Sequence, residues 1–303
     1  MSNIKSLNIA GIPVIVSPPV NLDNPAPLII LWHGFGIPAN EKTLAKTLPL
    51  KEVQAWKAYP ELPLFGQLMK TGNIEELMQR QLEDYILQLL LPTIEPALQK
   101  LPEIVRKLQA ELGIDRQLGI GLFGFSAGGI ASLLTLIESS VPINVAVLTG
   151  VTKDLTSTID MVERTTQQNY QTLQEQYSWI KERHKQYNWT EASRKAQQRL
   201  NFVQRAAEIA QRQPIPAILF AHGVQDEILT LKEVKTLYAA LETHYEQAKK
   251  SERLSLKTFE HLKHHLDFEA AENNPQMHQD LIELQQVIAR WFDRYLTRSR
   301  SKL

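Results

Sequence analysis

Five residues, Gly124-Phe125-Ser126-Ala127-Gly128, carry the sharpest chemical signal in the sequence. They close an apolar run, "QLGIGLFGF" over 117–125, and lead into the small-residue stretch "GGIASLL". A serine on a tight strand-to-helix turn is forced into strained backbone geometry, so small neighbours are needed to avoid clashes. Such a turn lifts the hydroxyl clear of the backbone and aims the first helical N–H groups, with the helix dipole, at the reacting centre. The chemistry served is nucleophilic attack on a carbonyl. The competing reading is a structural glycine turn, and the strand-turn-helix context favours the nucleophile.

A hydroxyl is a weak nucleophile at neutral pH and needs a general base, which in turn needs a carboxylate to fix its tautomer. Both are expected after the serine, acid before base, at the ends of later strands. "PAILFAHGVQDEIL" over 216–229 supplies the acid: an apolar strand, then His222-Gly223, then Asp226, with Glu227 as the adjacent alternative. His222, beside the acid at the strand's end, is read as a turn or packing residue. The next strand, "LSLKTFE", runs into "HLKHHLDF", which holds His261, His264 and His265. On a helix these three would share one face, as a metal site requires. The segment follows a strand, however, and neither a cysteine nor an H-E-x-x-H pattern accompanies it. We expect no metal and no cofactor. Upstream, His33-Gly34-Phe35-Gly36 leaves the run "LIILW" as a small-residue turn. The N–H groups of Phe35 and Ala127 are the candidate oxyanion hole, and the His33 side chain is read as a hydrogen-bonding part of the scaffold.

The elements that must position these residues are legible in outline. Strands are predicted at 12–17, 27–34, 54–63, 117–126, 143–150, 216–223 and 254–260, and helices at 74–91, 94–112, 131–138, 231–248 and 280–296. That alternation predicts an α/β fold, a mostly parallel sheet with helices on both faces. The continuous apolar runs "IILW", "VAVL" and "AILF" suit strands buried on both sides. Between two strands lies 151–213, rich in Gln and charge. A connection that long is usually functional, so we expect one domain over 1–303 with a helical lid at 151–213. Its basic stretch (Lys185, Arg194, Lys195, Arg199, Arg205) reads as a solvated face interspersed with Glu182, Glu191 and Glu208, in preference to a cationic rim. Its aromatics, Tyr177, Trp179, Tyr187, Trp189 and Phe202, are expected to pack it onto the body.

Bulk composition narrows the classes. The 303 residues are 43% hydrophobic, enough for a large core. Lys+Arg and Asp+Glu both number 33, and that neutrality advertises no nucleic-acid partner. The absence of cysteine excludes disulfides, thiolate metal sites and a cysteine nucleophile. No apolar run is long enough for a membrane span, and the first residues make a poor signal peptide. A cytoplasmic protein is expected. The alternative is the peroxisomal matrix, because Ser301-Lys302-Leu303 spells its address tripeptide; the competing reading of those residues is a solvated basic tail.

"HGFG" at 33–36, "GFSAG" at 124–128, "HGVQDEI" at 222–228 and a histidine after the last strand together resemble the α/β-hydrolase superfamily. "YPELPLFGQ" at 59–67 is also similar to the family's "DLPGFG" turn, with Glu61 for the aspartate and Leu64 for the glycine. Similarity is strongest to esterase, dienelactone-hydrolase-like and prolyl-oligopeptidase-like members, which share "HGxxDxxV" around the acid; here Ile228 stands near the valine. The "HGGG" turn of many lipases is missing, which speaks against a lipase. The resemblance implies an α/β-hydrolase fold and a base three or four residues past the last strand. If that strand ends at Phe259 or Glu260, His261 comes too early, His264 falls in place, and His265 is the rival one residue on. The activity implied is hydrolysis of a small-molecule carboxylic ester or thioester through Ser126, Asp226 and His264. A peptidase or acylaminoacyl-peptidase-like amide hydrolase would use the same residues, and a non-catalytic binding protein would need only the fold.

Overall fold

A computed structural model describes residues 4–297. Its eight strands are β1 (Lys5–Ile9), β2 (Ile12–Ser17), β3 (Leu28–Trp32), β4 (Trp56–Pro60), β5 (Ile120–Phe125), β6 (Ile143–Thr149), β7 (Ala217–Gly223) and β8 (Leu254–Phe259). They form one sheet in the order β1-β2-β4-β3-β5-β6-β7-β8. β2 pairs antiparallel with β1 and β4, and every other pairing is parallel. The parallel strands therefore all deliver their carboxyl ends to one edge, where ligands bind in open α/β sheets.

β3 is buried along its whole length, as are β5 and β7, because helices cover both faces. α1 (Glu41–Thr47), α2 (Pro63–Thr71), α3 (Ile74–Asp84), α4 (Leu91–Leu112) and α5 (Ala127–Glu138) precede the insert. α6 (Thr156–Gln176), α7 (Glu191–Arg199) and α8 (Ala206–Ala210) lie within it, and α9 (Leu231–Gln247) and α10 (Pro275–Phe292) follow. One apolar core lies under α4, α5 and α9 and includes Trp32, Leu122 and Leu133. The other lies under α1 and α10, with Phe123, Phe125 and Phe292.

Several elements differ from expectation: α1 and α2 are additional, the strand expected over 54–63 is confined to Trp56–Pro60 because α2 starts at Pro63, and α5 begins at Ala127 instead of 131. β1 is not predicted from the sequence: only its last residue, Ile9, is buried, so an edge strand here carries little apolar signal. The helices expected at 74–91 and 94–112 run on without the break at 92–93, because α3 passes into α4 through a π-helical stretch, Tyr85–Leu90. The Asp84 carboxylate accepts from Leu87 N (2.9 Å) and so supports that turn. α10 begins at Pro275, earlier than the expected Asp280, because the Asn274 side chain caps it by accepting from Met277 N (3.1 Å).

The 151–213 segment packs on the body through buried Ile159, Val162, Phe202 and Ile209, with Tyr177, Trp179, Tyr187 and Trp189 flanking the same core. Its polar contacts are directional. Arg183 donates to both oxygens of Glu83 (2.9 and 2.5 Å), and Trp179 Nε1 to Glu75 (2.9 Å). Arg199 donates to Glu138 (3.0 and 2.7 Å) and pairs with Glu95, and Arg205 donates to Glu138 (2.8 Å). The Tyr187 hydroxyl donates to Asp84. The local pairs Lys185–Glu182, Lys195–Glu191 and Arg205–Glu208 are also present. Most of the basic stretch is thus engaged with carboxylates.

Among the described residues, no helix is long and apolar enough to cross a membrane. Ser301-Lys302-Leu303 lies outside the described residues.

Candidate active site

Ser126 sits between β5 and α5 with φ 54° and ψ −118°, a conformation that a non-glycine residue adopts only under constraint. The neighbours enforce it. Ser126 N donates to Thr149 O (3.0 Å), tying the turn to the end of β6. The flanking glycines are sterically required: a Cβ on Gly128 would lie 2.4 Å from His33 O, and one on Gly124 would lie 2.3 Å from Ser132 Oγ. Ser126 keeps some solvent exposure while the residues on both sides are buried.

Asp226 and His264 are brought to this hydroxyl by the ends of β7 and β8. Val224 N donates to Phe259 O (2.8 Å) and Gln225 N to Leu262 O (3.0 Å), so the two loops are pinned together. β8 ends at Phe259, and His264 follows on a non-helical loop. His264 Nδ1 lies 2.8 Å from Asp226 Oδ2, and Nε2 lies 3.0 Å from Ser126 Oγ. With Nδ1–H donating to the carboxylate, Nε2 is the acceptor that faces the serine hydroxyl. The second oxygen of Asp226 accepts from Ile228 N (3.0 Å) and Leu229 N (2.8 Å), which fixes the carboxylate plane. Asp226 and His264 are both buried, and the His264 ring rests on Phe125, centroids 5.3 Å apart. Glu227, the alternative acid, is exposed. Chemically, a buried carboxylate–imidazole–hydroxyl series can draw a proton off the serine and hold the resulting imidazolium.

The other two histidines of the cluster have separate partners. His261 N donates to Asp280 Oδ2 (2.7 Å), with the ring 3.5 Å from the same carboxylate. His265 turns toward the 33–38 loop: Ile37 N donates to its Nδ1 (3.1 Å) and Leu266 N donates to Ile37 O (3.0 Å). A Cβ on Gly36 would lie 2.3 Å from His265 Cε1, so only glycine allows the loop this close. No sequence signal exposed this link, which joins segments 228 residues apart.

The 33–36 turn lies against the serine, and Phe35 stacks on Phe65 with centroids 4.5 Å apart and meets Tyr85 edge-on at 6.5 Å. Phe65 is carried by α2, whose start is held by Glu61, ion-paired to Lys70 at 2.7 Å. Ala127 is the first residue of α5, and the opening N–H groups of a helix have no intrahelical acceptor. His33 is fully buried: Nδ1–H donates to Gly34 O (2.8 Å) and Nε2 accepts from Leu62 N (3.0 Å). Burial pulls its pKa down to about 4. His222 is also buried, with Nε2 3.9 Å from Asp226 Oδ2. Burial, opposed by the Asp226 charge, lowers its pKa.

The neutral His33 links stability to pH. The unfolded chain takes up a proton near pH 6.5, while the folded ring resists it until about 4. Its contribution is therefore full above 6.5 and drains away as pH falls through 4, by about 3 kcal/mol. Urea unfolding between pH 7 and 4 should show a slope that His33→Gln flattens; an unchanged slope would refute the assignment.

No protein-family model and no curated protein matches the sequence. Solved structures do match. The TT1662 protein of Thermus thermophilus is 15% identical with a TM-score of 0.61, over 99% of this chain and 100% of that one. A putative dienelactone hydrolase from Klebsiella pneumoniae is 17% identical, TM-score 0.57, over 97% and 99%. Pyrococcus horikoshii acylaminoacyl peptidase is 14% identical, TM-score 0.59, over 100% of this chain; the chain spans 43% of the peptidase. The chain has the α/β-hydrolase fold.

Proposed function

We propose that the protein is a serine hydrolase of carboxylic esters. The observation that carries this reading is the hydrogen-bonded series from Ser126 Oγ through His264 to Asp226, set on a strained turn. His264 Nε2 takes the hydroxyl proton as Oγ adds to the ester carbonyl. The N–H groups of Phe35 and Ala127 receive the developing oxyanion, a donation typically worth about 3 kcal/mol each. The tetrahedral species collapses to an acyl-serine while His264 returns its proton to the departing alkoxide. Water then adds with His264 again as base, and the carboxylic acid leaves. Asp226 holds the tautomer and balances the imidazolium. No metal or cofactor has a step in this sequence.

The 151–213 segment is read as a lid, supported by its seating on α3, α4 and α5, and the Phe35–Phe65–Tyr85 cluster as a wall of the acyl pocket. Amide hydrolysis is the second reading, favoured by the similarity to acylaminoacyl peptidase. A fluorophosphonate probe tests the class: Ser126 should be labelled in folded protein and not after urea unfolding. A matched set of p-nitrophenyl esters, thioesters and p-nitroanilides separates the bond types. Absence of labelling, with no turnover across the set, would leave only a binding role.

A further inference from the structure

A cavity of about 610 Å³ opens at the end of the sheet away from Ser126. Lys57 is the second residue of β4, at that strand's start, and pairs with Ser17 at the end of antiparallel β2. Ser126 follows the last residue of β5. The cavity is bounded by β1, β2, the 18–22 loop and the segment after α1, and its volume is that of a small-molecule site.

Its floor holds Lys57, 1% exposed, between the buried Ile15 and Tyr59. A lysine ammonium has three donors. Among the described residues Lys57 makes one hydrogen bond, donated from Nζ to Pro18 O on the cavity wall (2.5 Å). Glu52 acts on it only through space, and burial lowers its pKa to about 8. A buried cation without a paired anion is costly, and residues that carry such a cost commonly meet a ligand.

The rim is as unusual as the floor. Ile4, Val20 and Leu22 are 59%, 61% and 68% exposed, and all three border the cavity. Large apolar side chains left in water together mark a contact surface. Lys5 and Lys51 stand at the same mouth, and no aspartate or glutamate lines the cavity. The chain as a whole carries as many acidic as basic residues, so this local excess of cations is not a reflection of overall charge.

We propose that this cavity binds an aliphatic carboxylate. The head group would accept from the free donors of Lys57, and the hydrocarbon chain would lie along Ile15 and Trp56 toward Ile4, Val20 and Leu22. The site is separate from Ser126, and the proposal does not depend on the hydrolase reading.

Isothermal titration with dodecanoate below its micelle concentration tests it. Wild type should bind one equivalent, Lys57→Met and Leu22→Asp should each weaken binding at least tenfold, and dodecanol should bind no better than Lys57→Met binds dodecanoate. Ser126→Ala should bind like wild type. Leu22 is exposed, so Leu22→Asp keeps the test decisive if Lys57→Met fails to fold. The proposal is overturned if wild type takes up no dodecanoate, if both cavity variants bind like wild type, or if Ser126→Ala abolishes binding. It is equally overturned if the protein co-sediments with phosphatidylglycerol vesicles yet binds no free dodecanoate, since the patch would then be a membrane contact.

Discussion

Replacing either Ser126 or His264 with alanine is expected to lower kcat/KM for p-nitrophenyl acetate by about 10⁴- to 10⁶-fold. The double variant should be no worse than the more damaged single one, because the two groups act as a unit: without Nε2 the hydroxyl stays protonated, and without Oγ the base has nothing to activate. His265→Ala should cost no more than about tenfold, the scale of one lost hydrogen bond. That side chain accepts from Ile37 N, whereas the bond to Ser126 Oγ is made by His264 Nε2. A loss at His265 as deep as that at His264 would mean that the proton takes another route.

Asp226→Asn should reduce kcat by about 10⁴-fold while the protein stays folded. The reason lies in how the two carboxylate oxygens are used. Oδ1 accepts from two backbone N–H groups, Ile228 and Leu229, and an asparagine must keep its oxygen there to satisfy them. Its NH₂ then faces His264 Nδ1, where a donor meets what should be a donor. The imidazole is driven to the tautomer with the proton on Nε2, which cannot receive the serine proton. Steady-state rates, with circular dichroism and urea midpoints as the folding control, would decide it. A variant retaining more than a tenth of wild-type kcat would rule out this role for the carboxylate.

The serine turn was legible because its steric demand is local: Gly124 and Gly128 are small for reasons that lie within a few residues of sequence and one neighbouring strand. Asp226 was legible as the first acid after an apolar strand ending in glycine. The choice among three histidines hinged on where β8 stops, and its end at Phe259 agrees with the register that singled out His264. The bond from Ile37 to His265 was not legible, because nothing in either segment names a partner so distant in sequence. The same holds for the insert. Its local pairs with Glu182, Glu191 and Glu208 could be read from spacing, but Glu83, Glu95 and Glu138 enter only through tertiary packing. β1 escaped for a different reason: all but Ile9 keep some exposure, so its residues need not be apolar.

The contacts that seat 151–213 have a consequence for how the molecule answers its medium. Cations and neutral donors lie on the insert, at Trp179, Arg183, Tyr187, Arg199 and Arg205, and carboxylates lie on the body, at Glu75, Glu83, Asp84, Glu95 and Glu138. A chain with no net charge thereby places a positive side and a negative side against each other along this seam. Several of these groups are partly exposed, so added salt screens the ion pairs of the seam but not its buried apolar contacts. Ionic strength therefore weakens the charged half of this seam, while the buried Ile159, Val162, Phe202 and Ile209 continue to hold the segment.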